Sequence, residues 1–374
     1  MVQPFNPQPV TMPATPDAAN VTRRTARWLA LVALLSAGCA STPAVPRDGT
    51  ALPTLSATLA EAGVRDLRGP YRAALCARSG MKDKCASALH RFAGEASGVP
   101  PPSANPAAYR LVFIPGFLAT CFPGIASFAD VIDEARREGF DAQVLTVGGR
   151  NSIAANAALI AEQIERLPDD GRRIVIIGHS KGATDALQML AQRPDLASRI
   201  VALVGIAGAF NGSPLAERLR PLYELTVSSN PFLLCASAQG DALDDLRPAT
   251  RRNWWSRYRA KVHVPLYSLV AVPDPDRVSP VLALLHAQLG TASPWNDGQL
   301  IALDQIAPGG SLLGFVNADH LTAGVPRPPN LPWTMLWAAV DFPRSDVILA
   351  AIDVVAADAP RAVQSSRVPP RAVH

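Results

Sequence analysis

Two stretches of this 374-residue chain carry side chains whose types suit nucleophilic chemistry. The first is Gly178-His179-Ser180-Lys181-Gly182. A serine hydroxyl is a poor nucleophile at neutral pH and needs a neutral imidazole to take its proton. The imidazole in turn needs a carboxylate to hold its tautomer and to stabilise the cation that forms. With the serine in a strand–turn–helix setting, acid and base are expected later in the chain, in that order. Of the six histidines, His90 and His179 come too early, His263 opens a strand, His286 lies in an apolar helical stretch and His374 is the last residue. His320 remains. It follows an apolar strand in Val316-Asn317-Ala318-Asp319-His320-Leu321, which is where a base belongs. Two carboxylates qualify as its partner: Asp297, before a glycine in Asn296-Asp297-Gly298, and Asp276, just after the preceding strand. Spacing alone leaves both open.

The elements around Ser180 are legible. Ile174, Val175, Ile176 and Ile177 form an apolar run long enough for a buried strand. After the two glycines, Ala183, Ala186, Leu187 and Leu190 recur at helical spacing. Strand, G-x-S-x-G and helix make a sharp turn that presents Ser180 at the end of a sheet. His179, inside that turn, reads as a packing residue. Strands are predicted at Arg110–Ile114, Ala142–Val147, Ile200–Ile206, Val262–Val272 and Ser311–Val316, and helices at Phe122–Glu138, Asn156–Leu167 and Ser345–Ala356. This alternation argues an α/β fold with a mostly parallel sheet flanked by helices. Developing negative charge on a substrate oxygen requires two preorganised N–H groups. The amide of Lys181 is one candidate and that of Phe117, in Pro115-Gly116-Phe117, is the other. Only the Lys181 amide enters here; its ammonium is expected to face solvent.

Residues 209–260 interrupt the alternation and read as a cap inserted after the strand that follows the serine helix. Phe232, Leu233 and Trp254, with Leu234 and Trp255, could line a substrate pocket or form the core of the cap. The net charge of +4 is mild and its arginines are scattered, so composition offers no case for nucleic acid. An apolar content of 48% supports a sizeable core. No Cys-x-x-Cys or His–Cys cluster points to a metal, and the chemistry calls for no cofactor.

Arg23, Arg24 and Arg27 precede a short apolar run, Trp28–Ala37, which is the pattern of a secretory signal. Its end, Leu35-Ser36-Ala37-Gly38-Cys39, resembles a bacterial lipobox, in which Cys39 becomes the lipidated first residue. The resulting organisation is a signal over 1–38, a linker and short helical segment over 39–105, the catalytic body over 106–360 and a tail over 361–374. Export to an oxidising compartment makes disulfides the expectation for the four other cysteines. Cys76 with Cys85 is the local pairing, which leaves Cys121 with Cys235.

Taken together, Pro115-Gly116-Phe117, the GHSKG turn, Gly212–Ala216 (GSPLA), Asn296-Asp297-Gly298 and Asp319-His320-Leu321 resemble the α/β-hydrolase superfamily, and within it the bacterial secreted lipases and carboxylesterases. The resemblance spans about residues 108–325. It implies an acyl-transfer enzyme acting on carboxylic esters, with Ser180, His320 and the aspartate of the Asp-Gly pair as its triad, which favours Asp297 over Asp276. Pro115 stands where the family usually has histidine, and Lys181 where glutamine is frequent. A lipid anchor and an apolar cap imply lipid-like esters at a membrane of the bacterial envelope. A depolymerase, an acyltransferase or a non-catalytic envelope lipoprotein on the same scaffold are the alternatives.

Overall fold

The computed structural model describes residues 59–366, apart from 93, 120, 122–125, 219, 221–239 and 330–332. In chain order the strands are β1 (Arg65–Asp66), β2 (Leu89–His90), β3 (Tyr109–Ile114), β4 (Asp141–Val144), β5 (Arg173–His179), β6 (Ile200–Ile206), β7 (Leu266–Ala271) and β8 (Ser311–Val316). They form one sheet in the order β1-β8-β7-β6-β5-β3-β4, with β2 also on β8. Every pairing is parallel except β2 with β8. The interior strands are apolar at consecutive positions because both faces are covered. Leu111, Phe113, Val175 and Ile177 point to one face, while Val112, Ile114, Ile174 and Ile176 point to the other. Each such side chain, fully buried, contributes roughly 1.5–3 kcal/mol.

The helices are α1 (Arg68–Ala77), α2 (Cys85–Ala88), α3 (Ala129–Arg137), α4 (Ile153–Glu165), α5 (Lys181–Gln192), α6 (Leu215–Arg218), α7 (Ala242–Asp245), α8 (Pro248–Tyr258), α9 (Ala283–Gly290), α10 (His320–Gly324) and α11 (Arg344–Ser366). Helices α1, α3 and α11 cover the first face through Tyr71, Leu75, Val131, Ile348 and Ile352. Helices α4, α5 and α8 cover the second through Ile160, Ile164, Leu187, Leu190, Trp254 and Trp255.

Several boundaries differ from the sequence reading, each for a local reason. The sheet does not begin at residue 106. β1 lies parallel on Ser311–Leu312 and β2 antiparallel on Phe315–Val316, so both segments close the edge that β8 would otherwise expose. The Cys76–Cys85 disulfide joins the end of α1 to the start of α2 and so leads the chain into β2. Helix α3 starts at Ala129, after a left-handed Phe128; the first residues of the predicted helix, 122–125, lie outside the described residues. Helix α4 starts earlier than 156, at Ile153, because the Ser152 hydroxyl accepts from the Ala155 N–H and caps it. Strand β7 is shorter than Val262–Val272, since Pro265 has no N–H to donate. Helix α11 runs past residue 360 into the expected tail.

Candidate active site

Ser180 stands at the carboxyl end of β5, in the middle of the sheet, with φ +52° and ψ −124°. It is one of four non-glycine residues with left-handed φ among those described, and Leu118 and Ala207 follow the neighbouring strands β3 and β6. Strain of this kind persists only where the surroundings enforce it. Here the enforcing bonds are the Ser180 N–H to the Ile206 carbonyl (3.0 Å) and the Ser180 carbonyl accepting from Ala209 N–H (3.1 Å). The glycines of the turn serve close approach. A Cβ on Gly182 would lie 2.3 Å from the Ile114 carbonyl oxygen, and one on Gly178 2.5 Å from the Ala183 Cα. Gly116 plays the same part in the opposite wall, where an added Cβ would lie 2.9 Å from the Ser180 Cβ.

Three side chains meet in a line. His320 Nε2 is 2.8 Å from Ser180 Oγ and its Nδ1 is 2.7 Å from Asp297 Oδ2. A carboxylate facing Nδ1 places the ring hydrogen there, which leaves the Nε2 lone pair for the serine hydroxyl. All three residues are buried, Asp297 completely. Its second oxygen accepts from the N–H groups of Gln299 (2.8 Å) and Leu300 (2.6 Å), a turn that Gly298 permits with φ +91°. The Asp297 carbonyl also accepts the His320 N–H at 2.9 Å, so the two loops are tied through backbone. Asp276 is not part of this line: it sits exposed on the turn Pro275–Arg277.

Facing Ser180, the Leu118 N–H donates to the Gly149 carbonyl at 2.8 Å and fixes the turn that carries Phe117. On the other side Lys181 is the first residue of α5, where N–H groups lack intrahelical partners. The site therefore brings together a hydroxyl, an imidazole, a carboxylate bonded to that imidazole, and two loops that can present amides. Among the described residues, no group of three His, Cys, Asp or Glu side chains is arranged to hold a metal.

No protein-family model matches this sequence, and no curated protein is significantly similar to it. Solved structures are. The metagenomic carboxyl esterase MGS0156 is 33% identical, over 88% of this chain and 99% of that one, with a TM-score of 0.74. This chain belongs to the α/β-hydrolase carboxylesterases. More distant are the mature lipase BlEst2 of Bacillus licheniformis (18% identity, 67% and 95% coverage, TM-score 0.48) and EstA from Clostridium botulinum (13%, 67% and 87%, 0.45). As a member of this family the protein is a carboxylic ester hydrolase.

Three parts of the esterase site were not anticipated. Asp319 is fully buried; it caps α10 by accepting the Thr322 N–H (2.8 Å) and holds the Ser279 N–H (2.5 Å), which sets the start of the turn bearing His320. The Asp-x-x-Thr spacing before a short helix was its visible signal. Second, the Lys181 ammonium does not face solvent. It is buried and pairs with Asp185 at 2.6 Å, one helical turn on. Burial pushes the Asp185 carboxyl up, to about 6, against the pull of that ammonium. Third, of the two readings offered for Trp254 and Trp255 the core one holds, but the core is that of the sheet's second face and not the cap's own. Trp254 donates to Gln188 and Trp255 to the Phe210 carbonyl (2.9 Å), so Trp254 packs on α5 and the pocket reading of Trp254 gives way to the core one. Phe232, Leu233 and Cys235, like Cys39 and the signal, lie outside the described residues. Cys121 is disulfide-bonded.

His179 is the packing residue its position suggested. Its ring is buried beside the His320 and Phe128 rings, and Nε2–H donates to the His320 carbonyl at 2.8 Å. Burial, with the neighbouring His320 second, drives its proton affinity down to about 3. In the unfolded chain the ring takes a proton near 6.5. The native state thus gains from His179 above pH 6.5 and loses that gain as pH falls toward 3, by about 1.4 kcal/mol per pH unit. Urea unfolding across this range should show wild type losing stability with acid more steeply than His179→Gln by about that slope. Equal slopes would contradict it.

Proposed function

We propose that this esterase cleaves lipid-like acyl esters through a Ser180–His320–Asp297 triad and an acyl-enzyme. The observation that supports it best is the unbroken pair of hydrogen bonds, 2.8 and 2.7 Å, from Ser180 through His320 to Asp297. As Ser180 Oγ attacks the ester carbonyl carbon, His320 Nε2 takes its proton. The negative charge that moves onto the carbonyl oxygen is met by the Phe117 and Lys181 N–H groups. The imidazolium then gives its proton to the departing alkoxide. Water repeats the sequence on the acyl-serine, and the carboxylic acid leaves. Asp297 stays ionised throughout and stabilises the imidazolium.

The lipid-like character is supported by apolar surface beside the acid loop. Leu282 packs on Gly298, while its neighbours Val281 and Leu284, and Met335, are exposed. We also infer that the chain is exported and anchored through Cys39; the Cys76–Cys85 disulfide suits an oxidising compartment. Cys39→Ala should move the protein from the membrane to the soluble fraction, and unchanged fractionation would sink the anchor. The enzyme reading is tested by a fluorophosphonate probe, with peptide mapping expected to find the label on Ser180. A p-nitrophenyl ester series should then show kcat/KM rising from acetate toward medium or long chains. A maximum at acetate would refute the lipid-like substrate.

A further inference from the structure

The reaction uses the backbone of Lys181, yet its side chain is buried at a cost that packing alone does not justify. A buried ammonium and carboxylate are commonly matched or bettered in stability by apolar residues of similar volume. What the pair is attached to is more informative. Lys181 Nζ bonds to Asp185 Oδ1 at 2.6 Å. Asp185 Oδ2 accepts from Asn156 Nδ2, on the adjacent helix α4, at 2.7 Å. The same amide brackets Gly148, in the loop after β4, donating to its carbonyl (3.1 Å) and accepting its N–H (2.9 Å). The next residue, Gly149, offers the carbonyl that holds Leu118 N–H at 2.8 Å. Leu118, with φ +60°, directly follows Phe117. Lys181, Asp185 and Asn156 are each about 1% exposed.

We propose that Lys181, Asp185 and Asn156 act as positioning residues, a buried polar strut that fixes the Lys181 and Phe117 amides relative to each other. The two amides belong to different elements, the start of α5 and the loop after β3. Nothing in either element alone sets the distance between them. Oxyanion donors work only within a few tenths of an ångström of the developing charge, so slack between the loops weakens the transition state and not the ground state. Asp185, one turn beyond Lys181, clamps the first turn of α5. Asn156 carries that constraint across to the 148–149 loop and on to Leu118. The inference rests on the proposed triad and oxyanion hole.

The test uses the full-length chain. Lys181→Met/Asp185→Leu removes both charges without leaving one unpaired, and Asn156→Leu cuts the strut in the middle. Each variant is assayed for thermal melting, kcat and KM on a p-nitrophenyl ester, and affinity for a trifluoromethyl ketone, which mimics the tetrahedral intermediate. The double variant should melt at or above the wild-type temperature and keep KM within about twofold, while kcat and ketone affinity fall together by roughly 10²-fold. Asn156→Leu should lose about tenfold in the same two quantities. Folded variants that keep kcat and ketone affinity within about threefold overturn the strut. So does a kcat loss that only follows the loss of folded protein. Should the double variant not fold, Asn156→Leu decides between the same results. Wild-type chain that turns over no ester and takes no fluorophosphonate would defeat the triad, and the strut with it.

Discussion

Ser180→Ala should reduce ester turnover by roughly 10⁴-fold or more and abolish fluorophosphonate labelling, with the fold intact. The size follows from what remains. Without the hydroxyl no acyl-enzyme forms, and only binding and the two amides are left to assist attack by water. The hydroxyl, 2.8 Å from His320 Nε2, is the only atom lost. The backbone strain at φ +52° stays in the alanine variant. Ser180→Gly, which meets no Cβ penalty there, should be equally inactive yet more stable than Ser180→Ala by about 1 kcal/mol. Stopped-flow kinetics and urea unfolding measure the two effects separately. Residual turnover within tenfold of wild type would place the nucleophile elsewhere.

Asp297→Asn should cost nearly as much, roughly 10³–10⁴-fold in kcat, with KM little changed. An amide in place of the carboxylate keeps the shape and can still accept the Gln299 and Leu300 N–H groups through its oxygen. Its NH₂ then faces His320 Nδ1, at a 2.7 Å separation that needs an acceptor. The ring shifts its hydrogen to Nε2, where it can no longer take the proton of Ser180, and the imidazolium has lost its counter-charge. Asp276→Asn, on an exposed turn, should remain within about twofold of wild type. The reverse ranking of the two aspartates would overturn the assignment.

The esterase strand–turn–helix around Ser180 was legible because its parts are local. Four consecutive β-formers, two glycines and a 3.6-residue apolar repeat lie within the seventeen positions 174–190, and none needs a distant partner. His320 was found by its place after the last strand. The choice between Asp297 and Asp276 was not open to spacing, because both follow structured segments. It is made by the Gly298 turn, which aims one carboxylate inward, and by the backbone bond from His320 to Asp297. Lys181 was misjudged for a related reason. A lysine next to a turn is ordinarily solvated, and its pairing with Asp185 was visible only as an i,i+4 spacing whose burial depends on how α4 packs on α5. The opening segment misled most. Two-residue strands carry no period, so β1 and β2 exist only because β8 leaves an edge to be covered.

By itself, then, the order of residues determined the alternating α/β architecture, the sharp turn at Ser180, which histidine meets that serine and the local Cys76–Cys85 bridge, all of which depend on short-range stereochemistry and hydrophobic period. The tertiary structure decided which aspartate meets His320, where the Lys181 charge goes, that Trp254 belongs to the core, and how residues far apart in the chain join the Lys181 and Phe117 loops. Those outcomes depend on which surfaces are excluded from water when helices and loops distant in sequence close upon one another, and no local pattern encodes that.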